Sequence, residues 1–335
     1  LRCASENGHL EITKFLILKG ADVHAGNDKA LRCSSMDGHL EVVKFLIGEG
    51  ANVHANDDDA LTCASKYGHL DVAKFLIGVG ADVHANHDEA LRHSSKNGHL
   101  EVVKFLIGEG ADVHANDDNA LIRASGGGHL EVVRFLVGVG ADVHARDDEA
   151  LKLASLSGHL EVVQFLVLRG ADVHANNDNA LKLASGSGHL KVAKCLILHG
   201  ADVHANDDDA LTCAAMNGHL EVTQFLIQSG ADMRASEALS YASTCDHLEV
   251  VKFLVQSGAD MRAGGDEALR CASKYGHSGV VEFLKEEIKS NNLVTSCFGV
   301  SVPCFPKHSQ NFTNKNAMNG TNSQTMNSCL KFWTR

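Results

Sequence analysis

Histidine is the residue in this chain that most clearly suggests metal binding or catalysis, because the chain contains 21 histidines in 335 residues. Ten of them form a turn column, namely His9, His39, His69, His99, His129, His159, His189, His219, His247 and His277. Seven more form a second column, namely His24, His54, His84, His114, His144, His174 and His204. Stacked helices place equivalent residues about 10 Å apart, whereas zinc binds each imidazole nitrogen at about 2.1 Å. Neither column therefore predicts a metal site, and we expect no cofactor.

A second candidate chemistry is nucleophilic catalysis, because Ser35, His39 and Glu41 lie close together in the sequence. The same trio recurs throughout the chain, whereas a catalytic site needs one unique geometry. The glycine run at residues 126–128 lacks the Lys-Ser/Thr pair that completes a phosphate-binding loop. The sequence predicts no catalytic residues and no enzymatic activity.

These residues belong to an internal repeat of 30 residues. Aligned on a shared leucine, the copies begin at Leu1, Leu31, Leu61, Leu91, Leu121, Leu151, Leu181, Leu211, Leu239 and Leu269. Only the interval from Leu211 to Leu239 differs, at 28 residues. The shared pattern is approximately L-x-x-A/S-S-x-x-G-H-L-E-V-V-x-F-L-x-x-x-G-A-D-V-H-A-x-x-D-x-A. Such a regular recurrence indicates stacked structural units.

The copy that starts at Leu31 predicts a short first helix followed by a glycine turn. Asp28 is expected to cap this helix, with Leu31, Ser34 and Ser35 sharing one face. Gly38 then supplies a turn residue that tolerates positive φ.

A second helix is predicted from about Leu40 to Gly48, with Gly50 just beyond its C-terminus. This helix is apolar almost all round, so it must be covered on several sides. Its own first helix covers one side only, so neighbouring repeats must cover the others. A short connector at residues 51–55 leads to an acidic tip at residues 56–58.

This order of helix, turn, helix and connector resembles the ankyrin repeat. The resemblance rests on G-H-L-E-V-V-K-F-L at residues 38–46 and G-A-D-V at residues 80–83. It implies an all-α, helix-turn-helix solenoid of about nine to ten repeats with short hairpin loops. The 30-residue period, and E-A-L-R at residues 89–92 in place of T-P-L-H, depart from the usual 33-residue pattern. This compact variant is similar to the ankyrin arrays of giant DNA viruses.

The resemblance also implies structural roles for both histidine columns. The turn histidine is expected to form a hydrogen bond near the start of the second helix. The second column stands where ankyrin repeats usually carry an asparagine that bridges adjacent loops.

The composition of the chain changes at about residue 288. Residues 1–288 form the predicted repeat array, whose 25 basic and 42 acidic residues make a net charge of −17. Residues 289–335 contain five basic residues, no Asp or Glu, and both prolines. Their polar composition predicts a disordered basic tail.

The exposed positions of the first helices differ from copy to copy, whereas the framework repeats. Helical spacing turns the second, third, sixth and seventh positions of each copy outward. The candidate partner-binding residues are Arg32, Met36, Lys66, Tyr67, Arg92, His93, Lys96, Arg123, Lys152, Leu156 and Lys182, which we call the first-helix face. The candidate tip residues are Asp57, Asp58, Asp117, Asp118, Asp147, Asp148, Asp207 and Asp208. In ankyrin proteins these two regions line a concave groove, which would here have a basic floor and an acidic rim.

The leading functional prediction is a protein–protein interaction scaffold or adaptor that binds a partner protein on its concave face. One alternative is a substrate-receptor subunit of a ubiquitin ligase, although the tail shows no helical apolar pattern of that kind. Another is nucleic-acid binding through the basic first helices, which the net negative charge opposes because phosphate contacts dominate such affinity. No small-molecule substrate is predicted, and a monomer is expected.

The cysteines bear on the cellular compartment. Five of the ten occupy one repeat position, namely Cys3, Cys33, Cys63, Cys213 and Cys271. The spacing of about 10 Å between stacked repeats exceeds the separation of about 7 Å that a disulfide permits. A reducing cytoplasmic or nuclear environment is therefore predicted. The sequence shows neither a signal-peptide pattern nor a run of about 20 apolar residues, so no membrane association is expected.

Overall fold

A computed structural model describes residues 1–232 and 237–298 of the protein. Within these residues the regular elements are 20 helices, and no strand occurs. This confirms the all-α, helix-turn-helix solenoid of about nine to ten repeats.

Each repeat contributes a first and a second helix. The first helices are α1 (Arg2–Glu6), α3 (Ala25–Met36), α5 (Asp59–Lys66), α7 (Ala85–Lys96), α9 (Ala115–Gly126), α11 (Ala145–Leu156), α13 (Ala175–Gly186), α15 (Ala205–Met216), α17 (Ala238–Thr244) and α19 (Ala263–Tyr275). The second helices are α2 (Leu10–Leu18), α4 (Leu40–Gly48), α6 (Leu70–Gly78), α8 (Leu100–Gly108), α10 (Leu130–Gly138), α12 (Leu160–Leu168), α14 (Leu190–Leu198), α16 (Leu220–Gln228), α18 (Leu248–Gln256) and α20 (Ser278–Phe298).

The hydrophobic core repeats with the sequence. Four side chains in one repeat are each at most 1% exposed: Leu31 from the first helix, and Val42, Val43 and Leu46 from the second. Full burial of one such side chain contributes about 1.5–3 kcal/mol. First helices pack on neighbouring first helices and second helices on neighbouring second helices. The stacking that the apolar second helices predicted is confirmed.

The turn histidine connects each repeat to the one before it. His39 Nε2 donates a hydrogen bond to the carbonyl oxygen of Glu6 at 2.9 Å. A Cβ atom added to Gly8 would lie 2.6 Å from His39 Nδ1, so a side chain at this glycine would displace the ring. Asp246 stands at the equivalent position opposite His277, whose Nε2 still donates to the Thr244 carbonyl oxygen at 2.8 Å. The expected bond near the start of the second helix is therefore wrong, because the imidazole points toward the preceding repeat.

The tips are built from left-handed backbone. Residues 26–28 have φ between 54° and 67°, and the corresponding triplets of the other described tips repeat this conformation. Asn, Asp and Gly tolerate left-handed φ better than other residues, which accounts for their predominance at these positions. The described connectors are thus left-handed turns without strand pairing.

A buried aspartate in seven of the eight described tips holds the next repeat, whereas Asp266 in the last of them is exposed. Asp28 is 5% exposed, and its Oδ1 accepts a hydrogen bond from the backbone N–H of Asn52 at 2.9 Å. His24 Nδ1 lies 3.1 Å from the same oxygen and donates to it. The expected N-cap role of Asp28 is wrong, because its carboxylate makes no bond to its own helix.

Buried serines at one repeat position of the first helices form a column, and their hydroxyl groups make no hydrogen bond. Its members, all in the described residues, are Ser5, Ser35, Ser65, Ser95, Ser125, Ser155, Ser185 and Ser243. Ala215 occupies the same repeat position and is also fully buried. The hydroxyl is therefore dispensable for packing at this position.

The chain divides into two compact units, Leu1–Glu286 and Glu287–Arg335. Helix α20 continues to Phe298, so residues 289–298 are helical where a disordered tail was expected. The segment contains no proline or glycine that would end the helix before Gly299. Residues 299–335 of the predicted tail lie outside the described residues. No helix in the described part of the chain is long and apolar enough to cross a membrane.

The bridging aspartates yield a stability prediction. Asp148→Ala is expected to lower the free energy of unfolding by about 2 kcal/mol more than Asp147→Ala, measured by urea denaturation. Asp148 accepts the backbone N–H of Asp172 at 2.8 Å, and an unpaired buried donor costs about 1–3 kcal/mol. Asp147 is a matched control because its φ of 55° resembles the 59° of Asp148 while its side chain is exposed. Equal losses in the two variants would contradict the bridging role.

The serine column yields a second stability prediction. Ser155→Ala is expected to raise the free energy of unfolding by about 1 kcal/mol, because a partnerless buried hydroxyl is removed. The reciprocal change, Ala215→Ser, is expected to lower it by a similar amount. Thermal or urea unfolding measures the free energy of unfolding of both variants. A destabilised Ser155→Ala protein would show that the hydroxyl has a partner in solution.

Candidate functional site

The first-helix face lies on helices α3 to α13, where its backbone is held by the buried leucine of each repeat. Of its members, Tyr67, Lys96 and Leu156 are exposed, and most of the others are half-buried. The carbonyl oxygens of Met36, Lys66, Lys96 and Leu156 each accept a turn-histidine hydrogen bond from the next repeat, at 2.8–3.0 Å. The main chain beneath this face is therefore fixed by the stacking.

Two cations of the face are paired with the next repeat. Arg32 lies 3.2 Å from the Asp59 carboxylate, and Lys182 lies 2.6 Å from the Asp209 carboxylate. The hydrogen bond from Lys182 to Asp209 raises the pKa of the lysine. For Arg32 burial opposes the charge, but the hydrogen bond and the negative charge of Asp59 raise its pKa overall.

Three further basic residues are held within their own repeat. Lys152 is only 7% exposed, with Nζ 2.7 Å from the Glu149 carboxylate. Arg92 donates to the carbonyl oxygens of residues 86 and 87 at 2.8 and 3.1 Å, and Arg123 donates to the Asn119 side chain. Lys152 was expected to face outward, but the long stem folds back over the tip and buries it.

Four further members of the face lie on α7 or at the end of α5. Lys66 Nζ lies 5.2 Å from the centre of the Tyr67 ring, which is 46% exposed. In the described part of the chain no carboxylate lies within 4 Å of Lys66 or Lys96. Burial lowers the pKa of His93, although Glu89 opposes this shift from 3.3 Å away. Lys66, Tyr67 and Lys96 thus remain uncommitted, and we call them the Lys66–Lys96 group.

The eight candidate tip residues divide into two sets. Asp57, Asp117, Asp147 and Asp207 are exposed. Asp58, Asp118, Asp148 and Asp208 are at most 5% exposed and accept backbone hydrogen bonds from the next repeat, so they are not available to a partner. The acidic rim consequently has one exposed aspartate in each of these tips instead of two.

The repeated trio of Ser35, His39 and Glu41 is not assembled. Ser35 Oγ is fully buried, and His39 Nε2 is bonded to the Glu6 carbonyl in the preceding repeat. In residues 1–232 and 237–291, no group of three His, Cys, Asp or Glu side chains has the spacing to hold a metal ion.

The acidic partners of the first-helix face were not predicted from the sequence. Asp59 and Asp209 stand two residues before the shared leucine, and Glu149 stands at the same position. An acidic residue recurs at this position in several copies, so the signal was present. Its meaning depends on which cation a neighbouring helix brings alongside.

A protein-family model described as ankyrin repeats in three copies matches residues 1–87, 80–147, 151–237 and 234–294. These matches cover most of the chain, including every repeat recognised in the sequence. A search of curated proteins finds none that matches.

Burial and the nearby Asp59 carboxylate both disfavour ionisation of the Cys63 thiol, which gives a prediction of reactivity. Cys63 Sγ lies 3.5 Å from Asp59 Oδ1, and burial followed by the charge of Asp59 raises the pKa of Cys63 to about 12. Iodoacetamide at pH 8 is expected to modify exposed Cys3 at least about a hundredfold faster than Cys63, because the thiolate is the nucleophile. Peptide mass spectrometry over time measures both rates.

Asp59→Asn supplies the matched variant for that experiment. Removing the negative charge is expected to speed modification of Cys63 while leaving that of Cys3 unchanged. Equal rates at Cys3 and Cys63 in the unmodified sequence would contradict the raised pKa.

Proposed function

The chain belongs to the ankyrin-repeat family, whose repeats are in general protein–protein interaction modules, and we propose that this array is a scaffold or adaptor that binds a partner protein on its first-helix face. The family is typically non-enzymatic. The proposed site is centred on the Lys66–Lys96 group, and the exposed tip aspartates, such as Asp57 and Asp117, form its proposed acidic rim.

One observation carries the proposal: an exposed aromatic ring and two uncommitted lysines lie together on adjacent first helices. Tyrosine is among the residues that contribute most to protein–protein affinity. Unpaired lysines lose no intramolecular bond when a partner carboxylate approaches them. The buried framework is nearly the same in every repeat. Lys274 and Tyr275 on α19 repeat the lysine–tyrosine contact at 5.2 Å, but among the described first helices a second lysine at the position of Lys66 follows on the next first helix only at α5 and α7.

The pairing pattern disfavours the nucleic-acid alternative. Arg32, Lys152 and Lys182 each lie within 3.2 Å of a carboxylate. Binding phosphate would require these cations to exchange an existing partner, and the array carries a net charge of −17. The ubiquitin-ligase alternative depends on the tail, most of which lies outside the described residues.

Affinity capture with quantitative mass spectrometry tests the proposal. The full chain is compared with a Lys66→Glu, Tyr67→Ala, Lys96→Glu variant, which leaves the structural bonds of Arg92 intact. A partner bound on this face is expected to be captured at least about tenfold less by the variant. Circular dichroism checks that both proteins are folded.

The control places the same charge changes on the other helix layer. Lys44→Glu with Lys104→Glu alters two exposed lysines of second helices, which pair only with Glu41 and Glu101. This control is expected to retain the partner. Equal capture by the unmodified chain and the Lys66–Lys96 group variant would exclude this face as the binding site.

A further inference from the structure

Helix α14 departs from the other second helices at its solvent-facing positions. Helices α2 to α12, α16 and α18 each carry a Glu or Asp in the first turn, whereas α14 has Lys191 there. Lysine at a helix N-terminus is unfavourable because the macrodipole places partial positive charge there. The departure therefore opposes the stability of its own helix.

The charge on this face is also unbalanced. In several second helices the first-turn acid pairs with a base three residues later, as Lys44 does with Glu41 at 2.7 Å and Lys104 with Glu101 at 2.8 Å. In α14 both positions are basic, and Lys191 and Lys194 are exposed. Within the described residues neither lysine has a carboxylate within 4 Å. Lys194 instead lies 5.4 Å from the centre of the Phe225 ring.

Two exposed leucines lie beside these lysines. Leu168 is 77% exposed and Leu198 is 83% exposed, at the last residue of α12 and α14. The second helices α4, α6, α8 and α10 end in glycine at this position, and α16 and α18 end in glutamine. The two helices pack side by side, so the leucines lie about 10 Å apart. Lys194 and Leu198 are four residues apart and share one face of α14.

A third cation, Arg169, lies next to Leu168 in the sequence. It is exposed and lies over the Phe165 ring at 5.1 Å. On the far sides of α14, Glu161 and Glu221 occupy the position of Lys191 in the flanking helices. Lys191, Lys194 and Arg169 thus bring three cations to neighbouring second helices, in an array whose net charge is strongly negative. We call Leu168, Arg169, Lys191, Lys194 and Leu198 the outer patch.

We propose that the outer patch is a second docking surface, which binds an acidic amphipathic segment of a partner protein. Two apolar side chains of the segment cover Leu168 and Leu198, and its carboxylates face Lys191, Lys194 and Arg169. Lone exposed leucines are ordinary on protein surfaces, but a pair framed by unpaired cations matches a ligand of defined charge. This surface lies on the other helix layer from the first-helix face and is independent of it.

Selection from a phage-displayed library of random peptides about 16 residues long tests the proposal, because a helix of that length extends about 24 Å and reaches across both leucines. The selected clones are then measured against Leu168→Ala/Leu198→Ala and against Lys191→Glu. We expect a class of clones with two apolar residues and an excess of Asp and Glu. Their binding to each variant is expected to be at least about tenfold weaker.

Three controls separate docking from folding and from the first site. Leu18→Ala removes a leucine with the same helix position and 81% exposure, but beside a neutral Lys14–Glu11 pair, and is expected to change nothing. Lys191→Glu restores the residue type of the other repeats and is expected to raise the melting temperature while weakening binding. The Lys66–Lys96 group variant is expected to retain these clones.

Several results would overturn the proposal. These are the absence of any clone class that depends on the outer patch, patch-dependent clones that are basic, and an equal effect of Leu18→Ala. Sedimentation with vesicles of phosphatidylcholine and phosphatidylserine tests whether the outer patch binds a membrane surface instead of a peptide. Vesicle binding that Lys191→Glu abolishes, without acidic peptide binding, would identify the patch as a membrane contact instead.

Discussion

A buried carboxylate at seven of the described tips joins successive repeats, and much of the array depends on it. The Oδ1 atom of Asp28 and of its equivalents accepts the backbone N–H of a residue 24 positions later, at 2.8–3.0 Å. A buried donor and acceptor left unpaired would each cost about 1–3 kcal/mol, so neighbouring repeats are stable in only one register. The left-handed turn brings the carboxylate inward, which restricts most of the tip positions to Asn, Asp and Gly.

The turn histidine makes the second connection between repeats. It bonds to a carbonyl of the preceding first helix and packs against a glycine that has no side chain to obstruct it. Both connections use backbone atoms of the neighbour, so they place no demand on that neighbour's exposed side chains. The surfaces of both helix layers can therefore differ from repeat to repeat without loss of stacking.

This freedom is used differently on the two layers. On the first helices, most cations are paired with carboxylates or backbone carbonyls, whereas Lys66 and Lys96 are not. On the second helices, the first-turn acid is replaced by Lys191 at α14, and exposed leucines end both α12 and α14. The two proposed surfaces lie on different helix layers of one array, and the tight coupling of neighbouring repeats would hold two proposed partners at a fixed separation.

The sequence by itself determined the helices, their stacking and the core, because a 30-residue period with apolar second helices has few physical solutions. It also predicted the bounds of α4 correctly. Only the tertiary structure decided the roles of individual polar residues. Asp28 bridges repeats instead of capping its helix, Lys152 is buried against Glu149, and His39 bonds backward to Glu6. Helical spacing predicts the direction in which a side chain leaves the backbone. The partner of that side chain comes from the next repeat or from the fold of the tip. Those contacts are only a few ångströms long, and the repeat period does not determine them.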